Sequence, residues 1–356
     1  MKSLSINLPD TSYSIYIKKG LLDEVGCKIK KIYTGQKIAI VTDDNVYKLY
    51  GDKIKNVLER NNFKIKFIVI KNGEKSKSIN VLQDIYNGFL NFNLTRSDLI
   101  ITLGGGVVGD IGGFAAATFL RGVPFIQIPT TLLSQIDSSI GGKVAVNLGR
   151  GKNLIGNFYH PKAVFIDPEV LKTLDKRVFN DGLSECIKYG CIKDEGLFSK
   201  LLNYASYEEL YKNIEYIIYS CCSIKKEFVE HDEKDTGKRM ILNFGHTIGH
   251  AIEQYFNYDV YTHGEAVAIG MYIIVNNSEI IGETKKGTAK KIKELLIKYN
   301  LPWNVEKMDM NEIIKTINLD KKRDGNNINL ILIKDVGESF IKKIKKEQAS
   351  KYIIGC

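Results

Sequence analysis

The chain is sparing with the residues that most readily make special sites: five histidines, one tryptophan and six prolines among 356 residues, and six cysteines without a CxxC pair. The cysteines, at 27, 186, 191, 221, 222 and 356, therefore outline neither a disulfide framework nor a thiolate zinc site, and reduced thiols point to the cytoplasm. No apolar run approaches the roughly 18 residues of a membrane span, so no membrane association is expected. Residues 1–17 lack the long apolar centre of a signal peptide and alternate instead (Leu4, Ile6, Leu8, then Tyr13, Ile15, Ile17), which reads as two edge strands. The net charge is +10, but the lysines are spread along the chain, with no basic cluster interleaved with aromatics and no reader motif. That pattern speaks against a nucleic-acid partner and for a solvated surface or a substrate with several negative charges. There is no internal repeat and no low-complexity linker.

What is present is an ordinary globular composition, 44% hydrophobic and 26% charged, and length enough for two domains. Residues 37–175 alternate buried-strand runs (37–42, 66–70, 99–103, 125–128 and 163–166) with helical stretches at 45–61 and 79–92. This is the signature of a parallel sheet covered by helices. From residue 176 a 3.6-residue periodicity takes over. The expectation is an α/β, Rossmann-like nucleotide-binding domain over 1–175 and a mainly α-helical domain over 176–356, with a strand or hairpin arm at 327–333 and a basic helix at 338–350.

Scarcity makes the histidines informative, because His246, His250 and His263 crowd into one short stretch. His246 and His250, four apart on a helix predicted over 240–256, share a face and suit a divalent metal. A working zinc site wants a third ligand, histidine or carboxylate, and an open position, so a partner is missing. A second signal is the strand at 99–103, which runs into Gly104, Gly105, Gly106, Val107, Val108, Gly109 and Asp110, a GxGxxG match. Such glycines let the backbone approach a pyrophosphate at a helix start. The match also fits a tight strand-to-helix turn without ligand, and no acid-ended second strand follows at the usual spacing, so a dinucleotide site of another lineage is the better reading. Asp43 and Asn45 after the first strand, and Glu74 and Lys77 before a helix, are further polar candidates that would otherwise pass as loop residues.

Seven segments then resemble the 3-dehydroquinate synthase family: GGGVVGD (104–110), FLRGVPFIQIPTTLL (119–133), QIDSSIGGK (135–143), GKNLIG (151–156), GLSECIKYG (182–190), LNFGHTIGHAIE (242–253) and HGEAV (263–267). They cover most of residues 37–335 in the family's order. Small departures are Val144, where threonine is usual, and Ser184, where alanine is. The resemblance implies a dehydroquinate synthase-like architecture whose C-terminal domain binds metal and substrate. It implies conversion of 3-deoxy-D-arabino-heptulosonate 7-phosphate to 3-dehydroquinate and phosphate, with NAD and with zinc, cobalt or another divalent metal.

It also supplies the missing carboxylate, making Glu185, His246 and His263 the metal ligands and moving His250 beside the substrate. On this correspondence the catalytic and substrate set is Asp137, Lys143, Lys152, Asn153, Lys188, Lys225, Arg239, Asn243, His250 and one of Lys321 or Lys322. Arg121 corresponds to an arginine that enters the partner subunit's site, which implies a homodimer. The nucleotide set is Asp43, Asn45, Glu74, Lys77, Gly104, Gly105, Gly106, Gly109, Asp110, Thr130 and Thr131, shared with Lys143 and Lys152. Two rivals share the fold: another sugar phosphate cyclase, such as a 2-deoxy-scyllo-inosose synthase, and a metal-dependent polyol dehydrogenase.

Overall fold

The apolar runs of the first half become the interior of a seven-stranded sheet in a computed structural model that describes residues 1–149, 151–305, 312–314 and 326–354. Its strands are β1 (Lys2–Asn7), β2 (Ser12–Ile17), β3 (Lys37–Asp43), β4 (Lys64–Ile70), β5 (Leu99–Gly104), β6 (Phe125–Pro129) and, beyond the hairpin β7 (Lys143–Leu148) and β8 (Gly151–Phe158), β9 (Ala163–Ile166). The order is β1-β2-β9-β6-β5-β3-β4, parallel throughout except for β1 against β2. Of the two expected edge strands only β1 is an edge, because β2 pairs on its other side with β9.

The helices along the chain are α1 (Val25–Lys30), α2 (Asp44–Glu59), α3 (Ile79–Asn91), α4 (Gly106–Thr118), α5 (Lys176–Ile192), α6 (Glu195–Asn203), α7 (Tyr207–Lys212), α8 (Ile214–His231), α9 (His246–Tyr255), α10 (His263–Ile281) and α11 (Thr288–Lys298). Both faces of the central strands are covered, which explains their unbroken apolar runs. On β3, Ile38 and Ile40 pack with Leu99, Ile101 and Ile126 on one side, while Ala39 and Val41 pack with Ile100, Ile111 and Phe125 on the other.

Two compact units result: Met1–Leu174 with Ile214–Lys234, and Asp175–Asn213 with the chain from Asp235 onward. The return of α8 to the first unit differs from the sequence reading, which places all of 176–356 together. Periodicity shows that a helix has an apolar face and is silent on what that face meets. Here Glu215 accepts from Lys19 N–H and Glu230 from Asn7 N–H, both at 2.7 Å, so α8 is fastened to the β1–β2 region.

Among its described residues the second unit is mainly helical, with a hairpin formed by β10 (Asn327–Asp335) and β11 (Glu338–Lys345). The basic helix expected at 338–350 is therefore corrected to a strand, followed by short helical turns from Lys346. Its lysines misled the reading. Val336 and Gly337 (φ 88°) form a two-residue hairpin turn, and once β10 is paired Phe340, Ile341 and Ile344 are held in register opposite Leu332, Ile331 and Ile328.

Candidate active site

In the second unit the expected helix over 240–256 is broken. A 3-10 stretch, Lys238–Asn243, ends before Gly245 (φ 78°), and α9 starts only at His246. The break lets α9 lie closely on α10, since a Cβ on Gly270 would sit 2.1 Å from the Gly245 carbonyl. His246 thus opens α9 and His263 opens α10. The second start is secured by a capping box between Thr262 and Glu265, whose carboxylate also takes two 2.7 Å hydrogen bonds from Arg177. Gly264 N–H donates to Asp181 of α5, and α5 carries Glu185 one turn further on.

These two starts and the middle of α5 bring Glu185, His246 and His263 together, with one ligand atom of each within 4.8 Å of the others. Glu185 Oε1 lies 3.6 Å from His246 Nε2 and 3.9 Å from His263 Nε2. Both imidazoles are held from behind. His246 Nδ1 is 3.1 Å from the Phe244 carbonyl, and His263 Nδ1 is 3.3 Å from Glu253 Oε2. A carbonyl and a carboxylate accept hydrogen bonds, so each Nδ1 carries an N–H and each Nε2 is turned toward Glu185, the usual arrangement behind metal-bound histidine.

Glu185 is fully buried, and its Oε1 has no hydrogen-bond partner among the described residues. Its Oε2 is ion-paired with the equally buried Lys188. A buried carboxylate oxygen without a hydrogen bond is costly unless something positive lies against it, and a cation there would also reach the Nε2 of each imidazole. The donor set therefore fits a divalent cation.

The charges here set the imidazoles apart. Burial pushes His246 well below the usual histidine range, helped by the charges of Lys188, His263 and His250. Burial also pulls on His263, but the Glu253 contact and the charges of Glu253, Glu185 and Asp181 outweigh it and raise the group to about 9. His250 is exposed, its ring 5.4 Å from that of His246 and 5.9 Å from that of His263. Arg239 is buried in the 3-10 stretch and Asn243 is exposed at its end. Lys321 and Lys322 lie outside the described residues.

In the first unit the GxGxxG segment leads from β5 into α4, whose N-cap, Gly105, offers no side-chain hydrogen bond. A Cβ would lie 3.0 Å from Thr131 Cγ2 if placed on Gly105 and 3.2 Å from Ser138 Oγ if placed on Gly106. Bare backbone thus leaves the first amides of α4 open beside Thr131, the condition for holding a phosphate at a helix start. Gly104 closes β5 and accepts from Thr130 N–H at 2.9 Å, and Gly109 lies one turn into α4. Asp43 caps α2, accepting from Asn45 and Val46 N–H at 3.0 and 2.9 Å.

Lys77 ion-pairs with Asp110 and also hydrogen-bonds Asn153. Burial pushes Asp110 above the usual carboxylate range and Lys77 pulls it back. Asn147, which sequence reading missed, closes this network: its side chain donates to Glu74 at 2.7 Å and accepts from Asn153 N–H at 2.8 Å. Asp137 sits in a π-helical turn, Ser134–Ser138, and is gripped by Lys225 of α8. Lys143 begins β7 exposed and Lys152 is half-buried on β8. Arg121 is exposed, with Leu120 (φ 51°) and Arg121 (φ 65°) both left-handed, a strained turn of the kind found at functional sites.

Glu253 was also missed, though His246, His250 and Glu253 follow the i, i+4, i+7 pattern of one helix face. That spacing could have found it.

The family model for the 3-dehydroquinate synthase N-terminal domain matches residues 67–181, and that for the C-terminal domain matches residues 182–323. The chain is 57% identical over 353 residues to the 3-dehydroquinate synthase of Clostridium acetobutylicum, spanning 99% of both chains. It is 58% identical over 347 residues to that of Clostridium botulinum, spanning 98% of this chain and 99% of the other. Among solved structures, a 2-deoxy-scyllo-inosose synthase matches with TM-score 0.86 at 26% identity over 99% of both chains. The 2-epi-5-epi-valiolone synthase of Streptomyces hygroscopicus, solved with NAD+ and Zn2+, matches with TM-score 0.87 at 24% identity, covering 98% of this chain and 97% of that one, a likeness of fold.

Proposed function

The chain belongs to the 3-dehydroquinate synthase family, and we propose that it converts 3-deoxy-D-arabino-heptulosonate 7-phosphate to 3-dehydroquinate and phosphate. The family's reaction is a transient oxidation at C5, β-elimination of phosphate, re-reduction, ring opening and aldol closure, with no net redox change. The observation that carries the reading is the convergence of buried Glu185 with the Nε2 atoms of His246 and His263, in a chain that matches both family models.

When bound, NAD supplies a reversible hydride acceptor and a divalent metal, zinc or cobalt, supplies a Lewis acid for the C5 oxygen. Glu185, His246 and His263 would hold the metal, and the amides opening α4, with Thr130, Thr131, Asp43, Asn45, Glu74, Lys77 and Asp110, would hold the dinucleotide. By the family correspondence the substrate contacts would be Asp137, Lys143, Lys152, Asn153, Lys188, Lys225, Arg239, Asn243, His250 and one of Lys321 or Lys322. A carboxylate and a phosphate ask for fixed cations, whose hydrogen bonds are roughly twice as strong as neutral ones. Lys143, Asn243 and His250 would hold the leaving phosphate close enough to accept the C6 proton itself. By the family correspondence Arg121 would serve the partner's site in a homodimer. Unbridged cysteines at 27, 186, 191, 221 and 222 agree with a cytoplasmic location, and no helix among the described residues is long and apolar enough to cross a membrane.

The test is incubation of the protein with NAD, a divalent metal and the heptulosonate phosphate. Phosphate release with 3-dehydroquinate and without accumulating NADH is expected. Steady NADH formation would instead favour a polyol dehydrogenase, and turnover of a sugar phosphate lacking the carboxylate would favour the inosose-synthase reading.

A further inference from the structure

Lys143 follows two glycines of positive φ, Gly141 at 97° and Gly142 at 69°, a turn with no side chain of its own to hold it. Groups from elsewhere in the same unit do so. Tyr13 Oη accepts from Gly141 N–H at 3.1 Å, and Tyr159 N–H donates to the Gly142 carbonyl at 2.7 Å. The His160 ring lies against the bare face of Gly142, where a Cβ would sit 2.7 Å from its Cε1 and Nδ1.

His160 is itself fixed. Its side chain is 6% exposed, its ring packs 5.7 Å from that of Tyr13, and its Nε2 lies 3.1 Å from Glu233 Oε1. Glu233 follows α8, the helix whose Lys225 grips Asp137. One helix and the two residues after it therefore hold the segment from Asp137 to Lys143 at both ends, directly at Asp137 and through His160 at Gly142. Neither His160 nor Glu233 has a part in the nucleotide, metal or substrate sets described above.

We propose that His160, oriented by Glu233, is a positioning residue for Lys143 and so for the anionic substrate. The inference rests on the reading of Lys143 as a substrate contact. A lysine at the first position of a strand inherits the placement of the turn before it, and a 1 Å misplacement of a contact costs roughly hundredfold in rate when the geometry is demanding. Replacing the ring by a methyl frees Gly142 to shift. Glutamine keeps a donor for Glu233, whereas phenylalanine fills the space without one.

The experiment measures kcat/KM for the heptulosonate phosphate at saturating NAD and metal, with melting temperature recorded for each variant. His160→Ala and His160→Phe should lose roughly tenfold or more, His160→Gln should recover most of it, and Glu233→Gln should show a smaller loss of the same kind. The decisive arm is a double-mutant cycle: in the Lys143→Ala background, His160→Ala should cost nothing further. A loss that multiplies undiminished in that background would overturn the proposal, because a general structural defect behaves that way. So would a failure of His160→Gln to differ from His160→Phe. An impaired Lys143→Ala beside an unaffected His160→Ala would reject the positioning alone, and an unaffected Lys143→Ala would reject the substrate contact and the proposal with it.

Discussion

In the first unit the groups around Asp110 and Asp137 already satisfy one another: Lys77 meets Asp110 and Asn153, Lys225 meets Asp137, and Asn147 joins Glu74 to Asn153. In the second, Glu185 turns an oxygen without a hydrogen bond toward two imidazole nitrogens. The pairs of the first are closed without a ligand, whereas the Glu185 oxygen of the second has no hydrogen bond among the described residues and is met only when a cation binds. Stability of the nucleotide half should therefore depend on its internal pairs, and that of the ligand triad on metal.

The strongest way to break this contrast is Lys77→Ala, which strands Asp110 largely out of water. Denaturant unfolding should register a loss of about 3 kcal/mol whether or not metal is present. A loss that disappears on chelation would place Lys77 under the control of the metal and erase the distinction. Next in size is metal removal itself. Chelation, starting from free metal at about a hundred times its dissociation constant, should cost about 2.7 kcal/mol of stability, read as a fall in melting temperature that zinc or cobalt restores. An unchanged melting curve would mean that the triad is indifferent to its cation.

Glu253→Gln sharpens the comparison, because it weakens the hold on His263 Nδ1 while leaving all three ligands in place. Metal affinity, read by competition with a chromogenic chelator, should fall roughly tenfold, and an unaltered affinity would make Glu253 a bystander. The smallest effect expected is from Thr262→Ala, which removes the cap of α10 and should destabilise by about 1 kcal/mol in thermal or denaturant melts. A silent substitution would show that Arg177 and Asp181 suffice to start that helix.

The central strands were legible in the sequence because burial on both faces writes itself as an unbroken apolar run, as in Leu99–Gly104. The helices between them were equally plain. Less legible were features settled by packing partners. The lysines of Glu338–Lys345 resemble a helical face until β10 is present, and Gly245 ends a helix that periodicity alone would carry through. The assignment of α8 to the first unit depends on hydrogen bonds to Asn7 and Lys19, which no local pattern announces.

The site shows the same division. The histidine pair and the glycine loop stand out locally, whereas Glu185 looks like an ordinary i, i+3 partner of Lys188 and was reached only through family resemblance. Asn147 and His160 gave no signal, since their importance lies in which distant groups they touch.

The most direct test is elemental analysis of the purified protein beside its Glu185→Gln variant, after identical loading with zinc and desalting. The native chain should retain close to one ion per chain and the variant almost none, with far-ultraviolet circular dichroism unchanged. A Glu185→Gln protein that keeps its full metal content would contradict the triad and the reading built on it.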